Sequence, residues 1–250
     1  MPRRSFKGLL FKATLLAFWA VACAMGGTEG TKQPVAADDA HDVQRKAMVA
    51  TQIEARGVTD ARVLAAMRNV PRHRFVPAEL RYTAYSDRPL PIGQRQTISQ
   101  PYIVALMTEL AGPRPEMKVL EVGTGSGYQA AVLAECVGEV YSIEIIPELG
   151  RRAKELLDGL GYRNVRTRIG DGYDGWPEAA PFEAIIVTAA PERIPQPLLD
   201  QLAPGGRLVV PVGLKSQDLV VVTRTEDGFQ RRTVTPVRFV PMTGKAQTER

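Results

Sequence analysis

The sequence predicts an α/β fold: a mostly parallel central sheet flanked by helices, with a helical segment at its N-terminus. Three observations predict it. Short apolar runs alternate with helix-patterned stretches from Lys118 onward. The first run, Val119-Leu120-Glu121-Val122, leads into Gly123, Gly125 and Gly127 and then an apolar helix, Ala130 to Ala134. Polar residues stand where strands should end: Glu121, Glu144, Asp171 and Thr188. In open α/β sheets, ligands bind across the carboxyl ends of the strands.

The 250 residues suffice for one sizeable α/β domain or two small ones. They divide into an export segment at 1–25, a small, polar, disordered linker at 26–41, and a folded domain at 42–250. Met1 to Lys12 is basic and Ala13 to Ala24 apolar, the length of a signal h-region rather than of a membrane span. Ala20-Val21-Ala22 is a signal-type cleavage site. Cys23 follows directly, so the stretch also reads as a weak lipobox, with a lipid anchor at Cys23 as the second route. Arg3-Arg4-Ser5-Phe6 faintly resembles a twin-arginine signal. Export is therefore expected, to the periplasm or to a lipid anchor; an unused signal would leave the chain in the cytoplasm. No transmembrane domain is expected.

Arg3, Arg4, Lys7 and Lys12 against Glu29 carry +3 of the formal net charge of +5. The remainder is close to neutral, which argues against a nucleic-acid partner. Only Cys23 and Cys136 are present, and neither a C-x-x-C nor a Cys/His cluster occurs, so neither a disulfide nor a metal is expected. Cys136 reads as a small core residue.

Within the domain, Val43 to Arg56 reads as a helix stopped by Gly57, and Asp60 as the cap of a second carrying Val63, Leu64 and Met67. Prolines exclude helix from Val70 to Pro77. His73 lies there between two arginines, which disfavour its protonated form, and reads as structural. Leu90 to Tyr102 reads as a polar loop before the helix Ile103 to Ala111. Thr97, Ser99 and Gln100 put hydroxyls and an amide near that helix start, a good place for a carboxylate. Spacing alone favours Ser99 as the helix cap, with Pro101 at the first position.

After the glycine loop, Val140 to Ile143 reads as a strand ending at Glu144, an acid suited to a ribose diol. A helix follows from Pro147 to Leu160. Val165 to Ile169 is the next strand, then Gly170-Asp171-Gly172, read as the loop at an adenine. Phe182 to Val187 leads to Thr188. A short helix at Pro197 to Leu202 precedes a Pro204-Gly205-Gly206 turn. Strands at Leu208 to Val212, Leu219 to Thr223 and Val234 to Val240 complete the pattern, the last an edge or bulged strand because of Pro236.

The glycine spacing separates two cofactor classes. A dinucleotide loop is G-x-G-x-x-G, with pyrophosphate on the helix N-terminus. Here the pattern is E-x-G-x-G-x-G, and Tyr128 occupies the position of the last glycine. This resembles motif I of the class I S-adenosylmethionine (AdoMet) methyltransferases. AdoMet carries a sulfonium and an ammonium, so a carboxylate at Glu121 would attract it and repel a phosphate. Candidate cofactor ligands are Glu121, Gly123, Thr124, Gly125, Ser126, Gly127, Tyr128, Glu144, Asp171, Gly172 and Thr188.

Further segments together resemble one family, the protein-L-isoaspartate O-methyltransferases. They are Met48-Val49 with Gln52-Ile53 and Arg56-Gly57-Val58, Val70 to Pro77, Gln96-Thr97-Ile98-Ser99-Gln100-Pro101, Gly170-Asp171-Gly172 and Val237-Arg238-Phe239-Val240-Pro241. The resemblance implies a Rossmann-like class I methyltransferase fold. It implies methyl transfer from AdoMet to the free α-carboxylate of L-isoaspartyl residues in damaged proteins and peptides. A monomer is expected, though the sequence carries no signal of oligomeric state. It shifts Ser99 from cap to catalytic substrate ligand and adds Thr97, Ile98, Gln100, Arg238 and Val240 as substrate contacts. The N-terminus departs from the family, whose members are usually cytosolic. The alternatives are an AdoMet-dependent methyltransferase on another small-molecule or protein acceptor, and a non-catalytic protein that kept the fold. The full set of Glu121, Glu144 and Asp171 argues against decay.

Overall fold

A computed structural model describes residues 39–248. The expected export segment, Cys23 and most of the linker lie outside the described residues. Helix α1 (Asp39–Met48) starts ahead of the expected Val43 and runs on as a π-helical turn, Val49–Ile53, and a 3-10 turn, Glu54–Arg56. Gly57, at φ 91°, ends it. Helix α2 (Ala61–Asn69) opens on Asp60, whose Oδ1 accepts from the N–H groups of Arg62 and Val63 at 2.8 and 3.1 Å.

The segment expected as a polar loop is a hairpin of β1 (Leu90–Gly93) and β2 (Gln96–Ile98). Its turn residues, Gln94 and Arg95, both have positive φ, 52° and 57°. Two-residue hairpin turns demand this, but Asn-Gly is their usual signature, so Gln-Arg concealed the turn.

Helix α3 (Pro101–Ala111) leads to the main sheet. Its strands are β3 (Lys118–Val122), β4 (Glu139–Glu144), β5 (Val165–Ile169), β6 (Phe182–Val187), β7 (Leu202–Val212), β8 (Gln217–Thr225) and β9 (Gly228–Val237). The order is β5-β4-β3-β6-β7-β8-β9. The first five are parallel, and β8 and β9 add antiparallel to the far edge. Helices α4 (Tyr128–Cys136), α5 (Pro147–Gly159) and α6 (Gln196–Asp200) make the crossovers. Almost every residue of α4 is buried, Cys136 included, as an apolar helix between sheet and neighbours must be. One core cluster, with Val119, Ala184 and Ile186, packs under α1 to α4. Another, with Leu120, Val122 and Ile185, covers the opposite sheet face.

Two strand boundaries moved. Pro204-Gly205-Gly206 bulges within β7 rather than ending before it: Leu202 pairs with Phe182, yet Arg207 already pairs with Ala184. A Cβ on Gly206 would come within 2.8 Å of the Ala203 carbonyl oxygen, so only glycine lets the strand close up again. The last strand runs from Gly228 to Val237 instead of Val234 to Val240. Its charged centre, Arg231-Arg232, is tolerated because β9 is an edge strand with exposed faces. Among the described residues no helix is long and apolar enough to cross a membrane.

Candidate active site

The chain leaves β3 toward β4 on one side, while β6 lies on the other. The crevice between the ends of β3 and β6 is thus the topological switch point. Thr188 bridges it. Its N–H donates to the Val122 carbonyl at 2.9 Å, and its hydroxyl donates to the Gly123 carbonyl at 2.6 Å. A Cβ on Gly123 would collide with that hydroxyl, so the close approach of the two strand ends needs glycine. Gly125 has φ 55°, and a Cβ on it would meet Ile92 at 3.4 Å.

A cleft lies over this loop. Gly123, Gly125 and Ser126 form its floor, Glu144 with Ile145 and Ile146 one wall, and Gly172, Thr188 and Met242 others. Glu144 is 5% exposed. Its Oε2 accepts from Gly125 N–H at 2.7 Å and its Oε1 from Ile146 N–H at 2.9 Å. Gly127, at φ 87°, starts α4.

Four of the expected ligands point elsewhere. Glu121 is fully buried beneath the loop. Ser142 Oγ donates to its Oε2 at 2.5 Å, and Oε1 has no partner among the described residues. Burial, with a smaller push from the Glu144 charge, raises its carboxyl to about 8, so it is neutral at pH 7. Glu121 thus lies beneath the loop rather than in the lining of the cleft. Thr124 turns inward to Ser142, 2.5 Å between hydroxyl oxygens. Tyr128 borders the cleft, but its ring lies in the core, edge-on to Phe75 at 5.5 Å. Asp171 caps its own turn, accepting from Tyr173 N–H at 3.0 Å, and accepts from Lys245 N–H at 2.8 Å. Its neighbour Gly172, not Asp171, reaches the wall.

A second, more open cavity adjoins the first, between the β2–α3 loop and the segment after β9. It is lined by Ser99, Gln100, Tyr102, Arg238 and Val240 among others. Thr97, Ser99, Thr188 and Val240 border both cavities, and Ile98 borders the first. Ser99 is no cap. The N-cap position belongs to Gln100, no side chain caps α3, and Pro101 takes the first helical turn. The Ser99 hydroxyl has no hydrogen-bond partner among the described residues, whereas that of Thr188 is spent on Gly123. Val240 is held through its carbonyl, which accepts from Ala190 N–H at 2.8 Å, and Met242 N–H returns to the Ala190 carbonyl at 2.8 Å.

Arg56 escaped the sequence reading as a site residue. It looked like a helix end, yet it lines the second cavity, 3.5 Å over the Tyr102 ring and paired with Asp87 at 2.9 Å. Ile145 and Met242 also escaped it; the only signal was an apolar pair directly after Glu144. His73 borders neither cavity. Its Nδ1 is 2.8 Å from the Tyr85 hydroxyl and its ring stacks on His41 at 4.0 Å, in keeping with a structural role.

A family model described as protein-L-isoaspartate(D-aspartate) O-methyltransferase matches residues 43–247. A protein-L-isoaspartate O-methyltransferase of Gloeobacter violaceus is 61% identical over 204 residues, 81% of this chain and all of that protein. One from a Picosynechococcus species is 58% identical over 200 residues, covering 80% of this chain and 90% of the relative. A solved protein-L-isoaspartate O-methyltransferase superposes with a TM-score of 0.74 at 31% identity, over 81% of this chain and 67% of that one. The match spans both cavities and every strand of the sheet, and the chain belongs to the protein-L-isoaspartate O-methyltransferase family.

Proposed function

We propose that the two adjoining cavities bring AdoMet and an isoaspartyl peptide together at Ser99. Membership of the family makes the chain an AdoMet-dependent repair enzyme that methylates the free α-carboxylate of L-isoaspartyl residues. The cleft over the glycine loop fits AdoMet. Bare backbone at Gly123 and Gly125 permits close approach. Each Glu144 oxygen already takes one N–H and keeps a lone pair for a diol hydroxyl. Ile145 and Ile146 offer an apolar face to a purine. When bound there, AdoMet supplies a sulfonium-activated methyl group.

The protein's own task is then small. A substrate carboxylate is ionised at neutral pH, so no general base is required. It must be stripped of water and aimed at the methyl carbon, a matter of proximity and orientation. The Ser99 hydroxyl can donate to one carboxylate oxygen and leave the other free to attack. The Val240 N–H, without an acceptor among the described residues, suits the substrate backbone, and Arg238 and Gln100 line the groove it would follow.

The unpartnered Ser99 hydroxyl at the boundary of the two cavities carries this assignment. Ser99→Ala should lower turnover on an isoaspartyl peptide about 10–100-fold, the order of one oriented hydrogen bond, with AdoMet affinity unchanged. The aspartyl twin peptide should remain unmethylated. A fully active variant would remove Ser99 from the reaction.

The basic start, the short apolar run and Ala20-Val21-Ala22-Cys23 support export, with Cys23 lost with the leader or acylated. N-terminal mass spectrometry of the fractionated native protein tests it. An intact residue 1–25 segment in the cytoplasmic fraction would refute it.

A further inference from the structure

Arg72 is a fully buried cation with no carboxylate partner among the described residues. It opens a short 3-10 turn, Arg72–Phe75. Nε donates to the Ala84 carbonyl at 2.8 Å and Nη2 to the Ser99 carbonyl at 2.7 Å. The guanidinium stands 4.8 Å from the centre of the Tyr128 ring, at the first residue of α4. Nη1 has no hydrogen-bond partner among the described residues. Burial lowers its pKa to about 10, which leaves it charged at neutral pH.

Such a residue is a costly way to fill a core. An apolar side chain of similar volume would pack there without desolvating a charge. What an apolar side chain lacks is the rigid fork that can grip two carbonyls at once. One of those carbonyls belongs to Ser99. The chain before Ser99 is held where Ile98 pairs with Leu90. The chain after it is held by α3, which begins with Pro101. The Ser99 peptide between these anchors is fixed by Arg72. Through the Tyr128 ring, the same cation also touches the helix that springs from the glycine loop.

We propose that Arg72 is a positioning residue for methyl transfer: by gripping the Ser99 carbonyl it sets the direction of the Ser99 hydroxyl relative to the cofactor cleft. The inference rests on the reading of Ser99 as the donor to the substrate carboxylate. Methyl transfer is sensitive to such placement, since a misplacement of about 1 Å can cost about 100-fold.

A double-mutant cycle on the full chain tests it. Arg72→Met, Ser99→Ala and the double variant are compared by steady-state kinetics on an isoaspartyl peptide, with AdoMet affinity from calorimetry. Arg72→Met should lower turnover about 30-fold with AdoMet affinity within about threefold of the parent. In the Ser99→Ala background the same change should cost less than about threefold, because two residues acting as one unit are not additive. Equal losses in both backgrounds would overturn the proposal and leave Arg72 a packing residue. A fully active Ser99→Ala would overturn the Ser99 reading and this inference together, whereas an impaired Ser99→Ala with additive losses overturns this inference alone. If Arg72→Met does not fold, Arg72→Lys takes its place in the cycle. One ammonium cannot hold both carbonyls in the same geometry, so parental kinetics in Arg72→Lys would also overturn the proposal.

Discussion

Glu144 Oε2 accepts the N–H of Gly125 at 2.7 Å, so the end of β4 staples the tip of the loop that follows β3. The second oxygen takes Ile146 N–H and fixes the apolar wall next to it. Floor and wall of the cofactor cleft are thus tied to one carboxylate. Its acceptors are set before any ligand arrives, which removes ordering cost from binding.

Glu144→Gln should therefore weaken AdoMet by about 10–100-fold, the range of one lost charge-assisted hydrogen bond plus an opposed donor. The glutamine carbonyl can serve only one of the two N–H groups, and its amide nitrogen faces the other. Calorimetric affinity equal to the parent's would show that the staple is dispensable.

Gly125→Val should abolish AdoMet binding in a folded protein. The position has φ 55°, which a β-branched residue adopts poorly, and its Cβ would come to 3.4 Å from Ile92, so a valine strains the loop that floors the cleft. A variant with parental circular dichroism and parental affinity would contradict the assignment of the loop.

Much of this site was legible because its signals are local. Three glycines between an apolar strand and an apolar helix can hardly be read otherwise, and Asp60 announces α2 by the same short-range logic. Glu121 and Thr124 lie off the cleft lining for the opposite reason. Type and spacing placed them at a strand end, but alternation turns the Glu121 side chain with Val119 onto the sheet face under the helices, where the Ser142 hydroxyl donates to it. Arg72 and Arg56 stayed hidden because their partners lie 27 and 31 residues away, at Ser99 and Asp87. The hairpin was missed because its turn uses residues that pay for positive φ.

Glu121 also gives the protein a pH signature. Its folded pKa, about 8, lies above the usual carboxyl value of 4.5. The folded state then binds more protons than the unfolded one between these values. Stability from this group is present at pH 4.5 and is lost as pH rises toward 8. Glu121→Gln keeps the shape without the titration. Its melting temperature should gain on the parent's as pH goes from 5 to 9, with the difference read by thermal melts at matched ionic strength. Parallel curves would show that Glu121 does not titrate in that window.

The strap from Val240 to Thr243 stands outside the sheet it serves. It pairs with Ala190 and borders the cleft, and it follows β9 in the chain. A chain ending just past β9 would contain the residues of all seven strands, yet lack both Val240 and the Met242 wall. The sheet and the cleft wall are thus separable in sequence: the strands end at Val237, and the segment that borders both cavities comes after them.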